Sequence, residues 1–254
     1  MALTAPAPAS LTEDGLLDGR VRLKQPANGA RAAIDPVFLA AAVPVAAGQR
    51  VLDIGCGTGA ATLCLAARVP LCEVVGLELQ PDLVRVAAEN AALNGVSERV
   101  AVLAGDLLRP LPSLRAGSFD HVMANPPFVE RGRGTSSSTP AKIAATMEGE
   151  ADLAAWVGFA LTMVRSKGSM TFIHRADRVD ALIAALVGGA GEISVFPLWP
   201  AAGRAANRVL IRARKQIKAP ARLLPGLVLH GADGSFTPAA EAVLRGAAAL
   251  DFGP

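Results

Sequence analysis

Short apolar segments of five to seven residues alternate along the chain with longer segments whose apolar positions recur every three or four residues. This alternation predicts strands connected by crossover helices, because a parallel strand pair needs such a connection. We therefore expect an α/β fold with a doubly wound, mostly parallel seven-stranded sheet and helices on both faces. The predicted strands cover 50–54, 73–79, 100–104, 119–124, 169–174, 193–198 and 208–212. The predicted helices cover 35–46, 60–68, 81–93, 150–164 and 177–187.

The two ends of the chain and one internal segment depart from this alternation. Residues 1–18 are rich in Ala, Pro and polar residues without an apolar period, which predicts a flexible tail. Residues 19–254 are expected to form a single domain, with a strand and a helix appended over about 215–254. Residues 131–139 are rich in Gly and Ser, which is typical of a mobile polar loop.

Composition excludes several classes of protein. The chain is 52% hydrophobic with a formal net charge of +3, so it is not disordered. The apolar run 36–48 is too short to span a bilayer and contains Pro44, so we expect no membrane segment and a cytoplasmic protein. Three cysteines without paired spacing predict neither disulfides nor a zinc site, and the histidines form no acid or nucleophile pattern, so no metal is expected. The oligomeric state is not predicted.

A glycine turn over residues 55–59 directly follows a predicted strand and opens a helix. Such a turn places backbone amides and the positive helix end near a nucleotide-like ligand. Gly55, Gly57 and Ala60 also match the dinucleotide fingerprint, and Glu78 ends the next strand, where a ribose-binding carboxylate belongs. Asp53, two positions before the first glycine, instead suits a ligand with a zwitterionic amino-acid end. Two cofactor classes therefore compete at this point.

Two motifs resemble those of a known family. Residues 51–59, Val-Leu-Asp-Ile-Gly-Cys-Gly-Thr-Gly, resemble the first motif of class I S-adenosylmethionine-dependent methyltransferases, which have a Rossmann-like fold. Residues 125–128, Asn-Pro-Pro-Phe, resemble the motif of members that methylate amino groups. The chain is most similar to the bacterial valine-tRNA adenine-N(6) methyltransferase-like group, through Gln25 to Gly29, Arg31, Asp35 and the segment 206–210.

This resemblance implies S-adenosyl-L-methionine as the cofactor and tRNA adenine as the acceptor. It implies that Glu78 holds the ribose hydroxyls, that Asp106 binds the adenine amino group, and that the glycine turn faces the methionine end. The residues that the resemblance assigns to cofactor binding are Arg31, Asp35, Asp53, Gly55, Cys56, Gly57, Thr58, Gly59, Glu78, Leu79, Asp106, Leu107 and Asn125.

The Asn-Pro-Pro-Phe motif suits methylation of an amino group. The lone pair of an adenine amine is delocalised into the ring. An enzyme must therefore orient the amine and draw the lone pair out of the ring, so that it is available on the nitrogen. The Asn125 side-chain oxygen and the Pro126 carbonyl can accept the two N–H bonds, while Pro126 and Pro127 stiffen the loop. Phe128 offers a face on which the base can stack. We therefore expect these four residues to be catalytic.

Several alternatives remain open on the sequence alone. Asp35 is either a helix cap or a cofactor contact, since Pro36 follows it at a first helical position. The acceptor is either adenine, a small molecule or a protein amide. Two other classes of protein also remain open. The glycine turn fits an NAD(P)-dependent oxidoreductase, and the chain could instead be a cofactor-binding protein without catalytic activity or an RNA chaperone.

The predicted late strands carry a local excess of positive charge. Residues 193–232 contain seven basic residues and no acidic residue. On a strand, Arg208, Arg212 and Arg214 share one face, which is either a solvated surface or a phosphate-binding one. The basic residues expected to contact tRNA are Arg204, Arg208, Arg212, Arg214, Lys215 and Lys218.

Overall fold

The computed structural model describes residues 10–27, 31–109, 111–127 and 151–253. Its first element is an antiparallel hairpin of β1 (Leu11–Leu16) and β2 (Val21–Pro26). The prediction of a flexible tail over 1–18 is therefore wrong for residues 11–18. The β1 strand is mostly exposed, so its sequence carries no buried apolar period, and its pairing with β2 decides its structure. The predicted loop 131–139 lies outside the described residues.

The main sheet confirms the predicted α/β class and adds two strands to the seven expected. The order of strands is β10-β8-β9-β7-β6-β3-β4-β5, with β11 paired to β8, and β9 runs antiparallel to both its neighbours. The short β10 and β11 pair parallel to β8, so the appended C-terminal segment extends the sheet edge. These strands are β3 (Arg50–Ile54), β4 (Glu73–Glu78), β5 (Val100–Ala104), β6 (Phe119–Ala124), β7 (Val164–Arg175), β8 (Ala190–Ala201), β9 (Arg208–Lys215), β10 (Arg222–Leu223) and β11 (Leu227–His230).

Helices cover both faces of the sheet and enclose two hydrophobic clusters. One cluster lies under α1, α2, α3 and α6 and includes Phe38 and Leu65, while the other lies under α4 and α5 and includes Phe172 and Val157. The sheet core is thus buried on both sides, as a parallel sheet requires. The helices are α1 (Asp35–Ala42), α2 (Ala60–Arg68), α3 (Pro81–Leu93), α4 (Leu153–Met163), α5 (Val179–Leu186) and α6 (Pro238–Leu244). Within the described ranges, no helix is long and apolar enough to cross a membrane.

Candidate active site

A cavity of about 420 Å³ opens at the carboxyl ends of β3, β4 and β6. Ligands of open α/β sheets bind at this edge, where loops leave the strands. Twelve of the residues expected to bind cofactor or to act in catalysis line it. They are Arg31, Asp53, Gly55, Cys56, Gly57, Thr58, Glu78, Leu79, Asp106, Leu107, Asn125 and Pro127. Gly59, Pro126 and Asp35 are not among the lining residues, and Phe128 lies outside the described residues.

Asp53 is a buried carboxylate at the end of β3, with 2% of its surface exposed. The Thr62 hydroxyl on α2 donates a hydrogen bond of 2.7 Å to its Oδ2 atom. The pKa of Asp53 is raised to about 7, mainly because burial disfavours the charged carboxylate; the Thr62 hydrogen bonds lower this pKa, and the neighbouring Glu78 carboxylate raises it. Asp53 is therefore poised to ionise when a positive charge lies beside it.

Glu78 is held at the end of β4 by backbone amides from two segments. The Gly57 and Gln80 amides each donate 2.9 Å hydrogen bonds to its carboxylate. The Gly55 and Cys56 amides donate instead to the Leu77 carbonyl, at 2.7 and 3.0 Å. Three amides of the glycine turn are thus satisfied inside the protein. The expectation that the turn offers these amides to an anionic ligand is therefore wrong in this structure.

Trp156 on α4 forms one wall of the cavity and was not predicted from the sequence. It packs on Gly55, whose φ is +67°, and a Cβ atom added to Gly55 would lie 2.4 Å from the Trp156 ring. Glycine is therefore required here both by its backbone angle and by this contact. No signal in the apolar sequence of α4 distinguishes Trp156 from an ordinary core residue.

Asn125 follows β6 and faces the cavity. Its Oδ1 atom is buried and has no hydrogen-bond partner among the described residues. A buried acceptor without a donor costs about 1–3 kcal/mol, so such an atom in a cavity points to a missing donor on a ligand. The Pro127 carbonyl is held from the other side by His174 Nε2 at 3.3 Å. The Asn-Pro-Pro segment is therefore fixed to the fully buried His174 on β7.

The predicted cap at Asp35 is wrong. Asp35 is the first residue of α1, the N-cap position is Ile34, and no side chain caps the helix. The Asp35 carboxylate accepts instead from Arg208 Nε on β9 at 2.9 Å. Its carboxylate therefore contacts β9 and is not part of the cavity lining.

The N-terminal hairpin supports the segment that reaches the cavity through Arg31. Gln25, which is buried, accepts from the Ala32 amide and donates to Asp14, each at 2.8 Å. Arg31 forms an ion pair with the same Asp14 carboxylate at 2.5 Å. Arg31 is thus engaged with the hairpin while it lines the cavity.

Asn90 on α3 and Asn94, the residue that caps the C-terminus of this helix, hold the edge of β2. Asn90 accepts from the Lys24 amide and donates to its carbonyl, both at 2.8 Å, and Asn94 makes the same pair with Arg22 at 2.9 and 2.7 Å. The buried Asn90 also donates to the Thr58 carbonyl at 2.9 Å. Asn90 therefore connects the hairpin to the glycine turn. Sequence reasoning missed it, because the contact spans 66 residues.

The predicted basic surface is divided between two edges of the sheet. Because β9 runs antiparallel to β7, Arg208 lies opposite Arg175 at the cavity edge and Arg214 lies opposite Ser169 at the far edge. Arg214 pairs with Glu192, and Lys215 donates to the Val164 carbonyl. The exposed Arg204 lies in the β8–β9 turn, on the cavity edge. The six residues therefore do not form one surface around the cavity.

Comparisons with known proteins agree with this geometry. A family model described as "Methyltransferase small domain" matches residues 30–150. A tRNA1(Val) (adenine(37)-N6)-methyltransferase of Aeromonas hydrophila is 29% identical over 206 residues, which are 80% of this chain and 84% of the relative. The crystal structure of a predicted O-methyltransferase from Agrobacterium tumefaciens has a TM-score of 0.72 and 27% identity, covering 85% of this chain and 98% of that one. The chain is an S-adenosylmethionine-dependent methyltransferase.

The cavity of this methyltransferase fits its cofactor in charge. S-adenosylmethionine carries an ammonium and a sulfonium group, and the buried Asp53 and Glu78 carboxylates complement positive charge. The buried Asp53 carboxylate, two residues before the first glycine of the turn, would repel a pyrophosphate there, so a dinucleotide-dependent oxidoreductase is not favoured. The relatives differ in their acceptors: a release factor glutamine methyltransferase of Deinococcus radiodurans is 42% identical over 80 residues, which are 32% of this chain and 27% of that protein.

Proposed function

We propose that this methyltransferase transfers the methyl group of S-adenosylmethionine to the exocyclic N6 amine of an adenine in tRNA. The observation that carries the proposal is the Asn125 Oδ1 atom, which is buried in the cavity and has no hydrogen-bond partner among the described residues. The tRNA1(Val) adenine methyltransferase of Aeromonas hydrophila, aligned over most of both chains, supports tRNA as the acceptor. Since tRNA is a cytoplasmic substrate, we place the enzyme in the cytoplasm.

The acceptor amine is oriented by the Asn-Pro-Pro segment. Asn125 Oδ1 accepts one N–H bond and the Pro126 carbonyl accepts the other, which leaves the nitrogen lone pair aimed across the cavity. When bound, S-adenosylmethionine supplies an electrophilic methyl group on its sulfonium. His174 holds the Pro127 carbonyl, so the loop keeps this geometry without a large ordering cost. The base-stacking role of Phe128 stays a prediction, since Phe128 lies outside the described residues.

The cofactor is held by groups that the strands present along the cavity. Asp53, ionised, lies beside the positive amino-acid end, and Glu78 accepts from the ribose hydroxyls. Asp106 accepts from the adenine amino group, while Leu79 and Leu107 cover the faces of the base. The glycine turn and Trp156 close the cavity around the remaining atoms.

The tRNA backbone contacts the cavity edge of the sheet. Arg204 is exposed in the β8–β9 turn and Arg208 is on the same edge, so we expect both to meet phosphates near a base extruded into the cavity. Each phosphate contact contributes to a salt-dependent affinity.

One experiment separates the candidate acceptors. Total tRNA is incubated with enzyme and methyl-labelled cofactor, and the label is located in tRNA nucleosides. Label in N6-methyladenosine supports the proposal, whereas labelled protein with unlabelled tRNA would identify an amide acceptor and refute it. Asn125→Ala is expected to lower kcat by at least about a hundredfold, because amine orientation is lost, with cofactor affinity nearly unchanged. Arg85→Gln, on the exposed face of α3, is the control.

A further inference from the structure

A second cavity lies at the edge of the sheet opposite the active site, where β6 and β7 begin. It has a volume of about 280 Å³, and among its lining residues are Arg165, Lys167, Arg212 and Arg214. None of these residues lines the active-site cavity. The methyltransferase reaction does not use it.

Two irregularities in adjacent strands build this cavity. In β7, four residues bulge between Val164 and Ser169 opposite the single residue Asp120 of β6. In β8, Glu192 and Ile193 bulge opposite the single residue Ala213 of β9. Bulges re-aim side chains and occur often beside functional sites.

Each bulge contains a non-glycine residue with a left-handed backbone. Lys167 has φ of 61° and Glu192 has φ of 52°. Gly168 beside Lys167 has no room for a side chain, because a Cβ atom there would lie 2.5 Å from the Asp120 carbonyl oxygen. Such conformations cost roughly 1–3 kcal/mol each and persist where the surrounding structure holds them. The bulges are therefore built features that place Lys167 and Glu192 at the cavity.

The cavity has an excess of positive charge. Four of its lining side chains are cationic and one, Glu192, is anionic. Asp120 pairs with Arg165 at 2.7 Å and Glu192 pairs with Arg214 at 3.1 Å, so both acids are already engaged. The charges of Lys167 and Arg212 then remain uncompensated by an ion pair in the described part of the chain.

Arg212 is the unusual member of this group. Its guanidinium is half-buried and lies 4.2 Å from the centre of the Phe252 ring. Burial lowers the pKa of Arg212, and the neighbouring Arg222 and Arg214 lower it further, whereas Glu192 and Asp251 oppose this change. A half-buried cation with other cations beside it is stabilised by an anion that binds between them.

We propose that the cavity between the two bulges is a binding site for a phosphate group, held by Arg212, Lys167 and Arg214. An arginine guanidinium can donate two parallel hydrogen bonds to two oxygens of one phosphate, and the Lys167 ammonium adds a point charge. The volume admits a phosphate together with part of the molecule that carries it. The source is either inorganic phosphate or the phosphate of an RNA backbone. This proposal does not depend on the proposed acceptor.

The test measures binding of inorganic phosphate to the full chain by calorimetry at constant ionic strength, with chloride as the compensating anion. Saturable binding to the wild type is expected to weaken at least tenfold in Arg212→Gln and in Lys167→Asn. Asn tolerates the left-handed backbone, so the second variant keeps the bulge even if the first fails to fold. Arg85→Gln changes the net charge equally at a distant site and is expected to bind as the wild type does.

Competition with a short RNA identifies the source of the phosphate. Displacement of bound phosphate by a trinucleotide, whose internal phosphodiesters are backbone phosphates, but not by the corresponding nucleoside, in wild type only, assigns an RNA phosphate. Binding of inorganic phosphate that neither the trinucleotide nor the nucleoside displaces assigns the free ion. The proposal is overturned if phosphate binding is not saturable, or if Arg212→Gln and Lys167→Asn bind phosphate as tightly as Arg85→Gln.

Discussion

Asp53 makes the stability of the ligand-free enzyme depend on pH, and Asp53→Asn removes this dependence. The pKa of Asp53 is 3.8 in an ordinary environment and about 7 in the folded protein, because burial disfavours the charged carboxylate. The folded state therefore retains a proton that the unfolded chain releases. The stability from this proton is fully present below pH 3.8 and is lost as pH rises through about 7.

The size of the effect follows from that interval. Each pH unit between 3.8 and about 7 changes the free energy of unfolding by about 1.36 kcal/mol, so the total is ~4 kcal/mol. The difference in unfolding free energy between the wild type and Asp53→Asn is therefore expected to change between pH 4 and pH 8. The change disfavours the wild type and amounts to at most this value. The asparagine side-chain oxygen still accepts from Thr62, so the local hydrogen bond is retained.

The assay is urea denaturation of both proteins from pH 4 to pH 8, and the quantity compared is the difference between their unfolding free energies. His121, whose pKa is lowered by burial to about 4, adds a pH dependence of opposite sign, but both proteins share it and it cancels. Asp180→Asn, which removes an exposed carboxylate from α5, is the control. A difference that stays constant across the pH range refutes the argument.

The remaining predictions concern the cavity walls and the hairpin. Glu78→Ala is expected to weaken S-adenosylhomocysteine binding at least about tenfold, since a charge-assisted hydrogen bond contributes about 1.5–3 kcal/mol. Calorimetry measures the affinity, and an unchanged affinity would contradict the cofactor-binding role of Glu78. Trp156→Phe is expected to abolish the change in tryptophan fluorescence on cofactor binding, whereas Trp199→Phe keeps it; a signal that follows Trp199 excludes Trp156 as the wall. Asn90→Ala and Asn94→Ala are both expected to destabilise the protein by about 1–3 kcal/mol in urea denaturation. Only Asn90→Ala is expected to weaken cofactor affinity as well, because of these two asparagines Asn90 is the one that contacts the glycine turn. Equal cofactor affinities in these two variants would show that the Thr58 contact is only structural.

Local sequence patterns determined most of the strands and helices that build the cavity. The bounds predicted for β3, α2, β5 and β6 coincide with the structure, because short buried apolar runs and the glycine turn are local signals. Since parallel strands place their carboxyl ends at one edge of the sheet, the motifs after β3, β4 and β6 necessarily lie at that edge. The Asn-Pro-Pro motif and the glycine turn could therefore be assigned to one site before the fold was known.

The tertiary structure decided which partners these residues meet. The Asp35–Arg208 ion pair joins residues 173 positions apart, the Trp156–Gly55 contact joins two separate elements, and the Asn90 contacts hold a hairpin whose first strand, β1, carries no buried apolar period. The strand β9 carries basic residues in a pattern that fitted one surface, but the strand crosses the sheet, so Arg208 and Arg214 lie at opposite edges, and its antiparallel direction decides that Arg208 is the one at the cavity edge. Periodicity reports only which face of an element is buried, whereas pairing direction, register and bulges arise from contacts distant in sequence.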